Sequence, residues 1–286
     1  MSLQRLPISV LVLSYNEALN LGDCLESIYA WADEVFVIDS GSTDATLEIA
    51  KSYTDKIYQH PFKNFADQRN WAQDNLPIKN EWLLHLDADE RVSHELALEL
   101  QSIFSAPIEA DGFMFSRRTI FRNKWIRHGG HYPAYHLRLF KKSKGRSEER
   151  LYDQNYIVNG RKLEIKKDLI NIINPNISLW KQRHRRWAFL EAQEVLFNKD
   201  RIMNIGFHGG PIERKNWLRY RLYYKLPLFL RPFIYFFYRY IIRLGFLDGR
   251  EGLVFHFFHG LWYRLIVDIE IFNARRNHTP GLTART

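Results

Sequence analysis

The sequence predicts an α/β protein: a doubly wound, mostly parallel sheet followed by a helical region. Three observations carry that prediction. Apolar runs within residues 8–13, 34–39 and 81–87 are nearly uninterrupted, which marks strands buried on both faces. Segments of helical spacing lie between them with short connections, the alternation of a parallel sheet covered by helices. From about Ser178 the pattern turns helical and stays so.

The elements follow in order. ISVLVL (8–13) is the first strand and stops at Ser14-Tyr15-Asn16-Glu17. Leu21, Leu25, Ile28 and Tyr29 then recur at helical spacing. EVFVID (34–39) is the second strand. Asp44 is placed to cap the helix TLEIAKSY, and Lys56-Ile57-Tyr58 reads as a short third strand. Phe65 to Asn75 is helical until Pro77, EWLLHLD (81–87) is a further strand, and a helix runs from about Ser93 to Phe104. Residues 111–165 lose this rhythm and read as shorter strands, GFMFSRRTIF, YHLRLFKK and NYIVNGRKLEI. Trp180, Trp187, Phe189, Leu190 and Leu196 lie in the first helix of the later region.

Composition narrows the class. Of 286 residues 46% are apolar and 26% charged, which excludes wholesale disorder, collagen-like repeats and a coiled-coil rod. A single cysteine excludes a disulfide framework and a Cys-rich metal site. The early apolar run is too short for a signal-peptide core, so the chain is expected to stay in the cytoplasm. No stretch reaches the roughly 18 uncharged apolar residues of a membrane span.

In a doubly wound sheet, ligands bind at the carboxyl ends of the strands. Asp39, Asp44 and Asp87-Ala88-Asp89-Glu90 fall there. Two carboxylates held close repel unless a cation joins them, and oxygen ligands suit Mg²⁺ or Mn²⁺. A solvated turn capping the next helix is the simpler use of such a run; its place at a strand end favours the cation. The loop Asp39-Ser40-Gly41-Ser42-Thr43-Asp44 is suited to a base or ribose. GxGxxG and GxxxxGK[ST] are absent at this loop, which argues against a dinucleotide dehydrogenase or P-loop enzyme.

ISVLVLSYNEALNLGDCLESI, DEVFVIDSGSTDATLEIAKSY, FADQRNWA, WLLHLDADERVS and WIRHGGHYPAYHLRLFKKSKG occur in that order. Together they resemble family 2 glycosyltransferases of the GT-A fold, above all the lipopolysaccharide-core and related cell-surface enzymes. The likeness covers roughly residues 7–165. It implies a catalytic domain over 1–177, with a nucleotide-sugar half (1–105) and an acceptor half (106–177), followed by a helical region over 178–286.

The resemblance also implies roles. Asp39 would bond the nucleotide base, and Asp87 the ribose or the metal-bound diphosphate. Asp89 would be the main ligand of Mg²⁺ or Mn²⁺, with Asp87 beside it. Ser14, Tyr15 and Asn16 would pack on the base with Glu17 behind, and Ser42 and Asp44 belong to the same nucleotide-sugar site. Gln68 and Arg69 would face the nucleotide, and Arg138 would reach phosphate. His128, His131 and Tyr132 lie in a loop read as flexible, able to close over the donor or line the acceptor pocket.

The catalytic base departs from the family pattern. The core-sugar enzymes carry Val-His-Glu before a Gly; this chain has Tyr152-Asp153-Gln154 before Gly160. Glutamine cannot take a proton, so Asp153 is the first candidate and Glu149 the second. His184, Trp187 and Glu191 share a helix face that could touch the acceptor or merely pack.

Residues 217–247 alternate basic and aromatic side chains. Arg231, Arg239 and Arg243 fall within about 120° of one another at 100° per residue, beside a Phe-, Tyr- and Ile-rich surface. A basic stripe next to an aromatic face is expected to lie in the membrane interface. The formal net charge of +9 then serves a membrane surface or lipid diphosphate; no nucleic-acid-binding motif accompanies it.

The expected function is a metal-dependent inverting glycosyltransferase. It would move a sugar from a nucleoside-diphosphate donor, UDP before GDP, to a lipid-linked glycan or lipopolysaccharide core at the inner membrane face. A polyprenyl-phosphate glycosyltransferase, needing no strong base, and a catalytically silent scaffold are the alternatives.

Overall fold

The computed structural model describes residues 4–149, 154–173, 176–197 and 217–276. These fall into two compact units, one of 4–125, 132–149 and 154–173, the other of 126–131, 176–197 and 217–276.

The first unit opens with β1 (Leu6–Ser14), α1 (Leu21–Tyr29), β2 (Ala32–Asp39), α2 (Thr46–Lys51), β3 (Ile57–Gln59), α3 (Phe65–Asn75), β4 (Trp82–Asp87), β5 (Glu90–Val92) and α4 (His94–Phe104). Then come β6 (Gly112–Phe121), β7 (Lys124–Ile126), β8 (Tyr135–Lys141), β9 (Gly145–Ser147), β10 (Tyr156–Val158) and β11 (Lys162–Ile173). The main sheet runs β3-β2-β1-β4-β8-β6-β11-β5, with β7 pairing β6 off this path. Its first four strands are parallel. β8 is antiparallel to β4 and β6, β11 is parallel to β6, and β5 is antiparallel to β11.

Strand β1 shows why this sheet is covered on both faces. Ile8, Val10 and Val12 join Leu21, Cys24, Leu25 and Ile28 of α1 in one buried cluster. Leu11 turns the other way, into a cluster with Phe36, Ile38, Leu83, Ala72 of α3 and Leu76 just after it. Each such side chain withdrawn from water contributes about 1.5–3 kcal/mol. Asn64 and Ser93 start α3 and α4 by accepting the Asp67 and Leu96 amides at 2.9 and 3.2 Å.

Two local readings need correction. Residues 155–165 are not one strand: Gly160 breaks them at φ +139°, where a Cβ would meet Asp111 Oδ2 at 2.1 Å. Strand β5, inside the acidic run, carried no apolar signal; β11 captures it through the pairing Asn171 with Glu90.

The second unit contains α5 (Ile177–Phe197), α6 (Arg231–Phe237) extended by a π turn over Tyr238–Ile242, α7 (Gly249–His256) extended by a π turn over Phe257–Trp262, and α8 (Tyr263–Arg276). Ala188 and Ala192 of α5 pack on Tyr263, Val267 and Ile271. Glu191 is buried among them and accepts from Tyr263 (2.5 Å), Arg264 (2.6 Å), Arg219 and Tyr224. Burial alone would raise its carboxyl pKa; Arg219 and Arg264 outweigh that and hold it well below the usual range. His184 stacks on Trp180 at 3.4 Å, with its Nδ1 2.8 Å from the Trp180 carbonyl oxygen. The His184–Trp187–Glu191 face is therefore helix packing.

The basic stripe is also corrected. Arg231 and Arg239 are 2% and 6% exposed and point into this unit; Arg243 alone of the three is exposed. Helical periodicity groups residues on a face but does not say whether that face is inside or outside. Among the described residues no helix is long and apolar enough to cross a membrane.

Candidate functional site

The parallel half of the sheet brings Ser14, Asp39 and Asp87 to one end: Ser14 is paired with Asp39, and Leu13 with Asp87. The loops leaving β1 and β2 are laced together. Asp39 is fully buried. Its Oδ2 accepts the amides of Gly41 and Ser42, both at 2.8 Å, and its Oδ1 accepts the Ser42 and Ser14 hydroxyls at 2.5 and 3.2 Å. Asn16, at φ +51°, donates its amide to Ser42 Oγ and accepts from the Thr43 amide, both at 2.8 Å. The Glu17 amide donates to Thr46 Oγ1 at 2.9 Å and the Ala18 amide to Asp44 Oδ2 at 3.2 Å. Asp44 also takes the Thr46 amide at 3.0 Å, so it stitches α2 to the first loop, although the N-cap itself is Ala45 and not Asp44 as expected. Tyr15 is left 58% exposed on this platform.

Asp87, at the end of β4, lies between two arginines. Arg138 Nη2 donates to its Oδ2 at 3.0 Å and Arg69 Nη2 to its Oδ1 at 3.4 Å. Burial raises the Asp87 pKa, but Arg138 and then Arg69 outweigh it and hold the carboxyl well below the usual range. Arg138 also donates to Glu90 Oε1 at 2.7 Å, while Glu90 Oε2 accepts the Asp87 amide at 3.0 Å. Glu90 is fully buried, so it braces the Asp87–Glu90 turn from beneath. Gln68 donates to Ser40 Oγ and the His60 carbonyl at 2.8 and 3.0 Å.

The floor under Asp87 went unread in the sequence. His85, two residues earlier on the same strand face, packs on Phe140 and Tyr156 with ring centroids 5.1 and 4.7 Å away. Burial, then Arg69 and Arg138, hold its pKa well below the ordinary histidine value. The Tyr156 ring lies 5.0 Å from the Arg69 guanidinium. Only the acidic string announced Glu90; nothing local announced His85 or Tyr156, because their partners come from distant strands.

Asp89 is half-buried beside Ala88, and its carbonyl accepts the Ile172 amide at 2.8 Å. Among the described residues no three His, Cys, Asp or Glu side chains gather into a metal cage. The donor set at this turn is two carboxylates one residue apart. That fits a hard cation taking most of its ligands from a diphosphate and water, as Mg²⁺ and Mn²⁺ do.

The remaining expected residues fall elsewhere. Tyr132 belongs to the first unit and donates to both Asp168 oxygens at 3.0 and 3.2 Å, which Arg118 also holds at 2.9 Å. His128 and His131 belong to the second unit. The His128 amide donates to Asp248 Oδ2 at 2.9 Å, with its Nδ1 2.6 Å from Oδ1; the Gly129 amide donates to the Arg243 carbonyl at 2.8 Å. His131 meets Phe255 edge-on at 4.9 Å. The loop read as flexible is thus tied down by hydrogen bonds at consecutive residues. Glu149 is exposed between β9 and β10. Asp153 lies outside the described residues.

Comparison with known proteins agrees with this geometry. The family model for glycosyl transferase family 2 matches residues 9–160. A lipopolysaccharide core biosynthesis glycosyltransferase, LpsC of Rhizobium meliloti, is 31% identical over 147 residues, half of this chain and 53% of LpsC. An uncharacterized glycosyltransferase of Rickettsia bellii is 38% identical over 99 residues, 35% of this chain and 33% of its own. The alignments thus span a third to about half of these relatives. Among solved structures, a mannosyltransferase from Pyrobaculum calidifontis, in complex with GDP-Man and Mn²⁺, superposes with a TM-score of 0.51 at 14% identity, covering 95% of this chain and 87% of that one. That likeness is one of fold, and the fold is the GT-A type. The chain belongs to glycosyl transferase family 2.

Proposed function

We propose that this protein is a metal-dependent inverting glycosyltransferase. In this reading it transfers a sugar from a nucleoside-diphosphate donor, UDP favoured, to a lipid-linked glycan or lipopolysaccharide-core acceptor at the inner face of the plasma membrane. One observation carries the reading: the half-exposed Asp87, at the carboxyl end of a central parallel strand, is flanked by Arg69 and Arg138 beside the laced loops of β1 and β2. Positive groups around an acidic turn suit a diphosphate and its cation together. The relative described as a lipopolysaccharide core biosynthesis enzyme supports a glycan acceptor.

The residues divide the work. Tyr15 and the laced loops receive the base, with Asp39 holding the loop in shape and bonding the base. Asp89 and Asp87 would hold Mg²⁺ or Mn²⁺, which neutralises the leaving diphosphate when bound. Arg69 and Arg138 add fixed positive charge near the developing negative charge. Asp153, or Glu149 in its place, takes the proton of the acceptor hydroxyl as it attacks the anomeric carbon. A thermal-shift screen of UDP- and GDP-sugars with Mn²⁺ tests the donor. A UDP-sugar should raise the unfolding temperature, since a ligand bound only to the folded state stabilises it. No response to any nucleoside-diphosphate sugar would defeat the reading.

A further inference from the structure

We propose that the outer face of α6 and its π turn docks on an anionic lipid bilayer by inserting apolar side chains, without crossing it. Phe233, Ile234, Phe237, Tyr238, Ile241 and Ile242 are each between 42% and 59% exposed. They sit at i, i+1, i+4, i+5, i+8 and i+9, one side of a helix of about 3.6 residues per turn. Buried polar anchors tie the same segment to its unit. Arg231 donates to Asp268 Oδ1 from Nε at 2.7 Å and from Nη2 at 2.5 Å, and Arg239 Nε donates to the Gly129 carbonyl at 2.9 Å. A helix on the surface of a soluble protein has the reverse polarity, apolar inward and charged outward. Leu230, Leu253 and Phe257 add exposed apolar surface in the same unit, and contiguous apolar surface of this kind marks an interaction site.

Charge selects the occupant. Among the described residues of this unit, every exposed charged side chain is Lys or Arg, Arg243 and Arg250 included, while every Asp and Glu is buried or half-buried. Anionic headgroups complement that surface; a second copy would bring like charges against it. The arginines expected to reach headgroups, Arg231 and Arg239, instead brace the helix from within, so binding depends on the apolar face. Salt, which screens surface charge beyond roughly 10 Å at 0.1 M, should weaken binding without abolishing it.

This deepens the lipid-linked acceptor reading and rests on it for its purpose, but the test uses no substrate. The full chain is floated with vesicles of phosphatidylglycerol and phosphatidylethanolamine, and with phosphatidylcholine alone. We expect flotation with the anionic vesicles, most of it retained at about 1 M salt, and release by alkaline carbonate. The double variant Phe233→Ser/Phe237→Ser should lose more than about tenfold in vesicle partition while binding UDP with Mn²⁺ as the parent does. Ile241→Ser/Ile242→Ser repeats the test should the first variant fail to fold. Absence of flotation at low salt, complete release by salt, resistance to carbonate, or a dimer that the double variant dissociates would each overturn the proposal. Failure here with intact UDP binding leaves the donor site standing, and the converse result does the opposite.

Discussion

At the scale of single residues, the site is governed by buried charges that have few alternatives. Arg138 is the only cation within 3 Å of Glu90 among the described ion pairs; Arg117 stands off at 3.7 Å. Replacing Arg138 with Met leaves a fully buried carboxylate with weak compensation, which costs about 3–5 kcal/mol. Urea denaturation measures this, and a loss below about 1 kcal/mol would show that the pair is not holding the turn. For the proposed base, Asp153→Asn should preserve donor affinity and lower kcat by about 10²–10⁴-fold. Near-normal turnover would move the role to Glu149 or favour a phosphate acceptor. Asp39, Asp87 and Asp89 were visible in the sequence because each ends or follows an apolar run. Glu90's bracing role and the His85–Tyr156 floor were not, because they depend on β8, β10 and β11 converging from far along the chain.

At the scale of elements, strands β1, β2 and β4 were legible because burial on both faces keeps most of their positions apolar. Strand β5 is three residues long and charged, and only its partner makes it a strand. Two arginines of the basic stripe, Arg231 and Arg239, were assigned the wrong side, because their partners, Asp268 and the Gly129 carbonyl, lie far from them in sequence. The helical unit carries its own pH dependence. His184 and His256 are buried, and burial first, aided by Arg183 and Arg239 respectively, lowers both from 6.5 to about 3, against the Trp180 carbonyl and Asp248. Unfolding lets both rings take up protons near 6.5, so the unfolded state gains as pH falls from about 6.5 toward about 3. Stability should therefore be full above that window and decline through it. Asp87 and Glu191, both depressed, add their loss only below about 4. Urea midpoints should fall on acidification from about pH 7.5 to about pH 4.5, either side of the ordinary histidine value. His184→Gln should flatten that limb; an unchanged slope would mean His184 is not the group responsible.

At the scale of the whole molecule, each compact unit has a distinct physical signature. The first concentrates buried acid–base pairs at the carboxyl ends of a parallel sheet, next to an exposed tyrosine. The second buries Arg231 and Arg239 and leaves Phe233, Phe237 and Phe257 exposed. The fold of the first unit was readable because alternating strands and helices leave a strong periodic record. Charge and aromatic content pointed to a surface suited to an apolar, anionic partner, but which side presents that surface depended on packing between distant helices. The proposed function requires the strand-end carboxylates to bind a nucleoside diphosphate through a divalent cation. Calorimetry of UDP binding with Mn²⁺ and with EDTA, on the parent and on Asp89→Ala, tests it most directly. Binding with Mn²⁺ should weaken by more than about tenfold in EDTA, and the affinity of the Asp89→Ala protein should no longer respond to the metal. Binding that is equally strong with and without Mn²⁺, or metal-dependent binding that survives in Asp89→Ala, would contradict it.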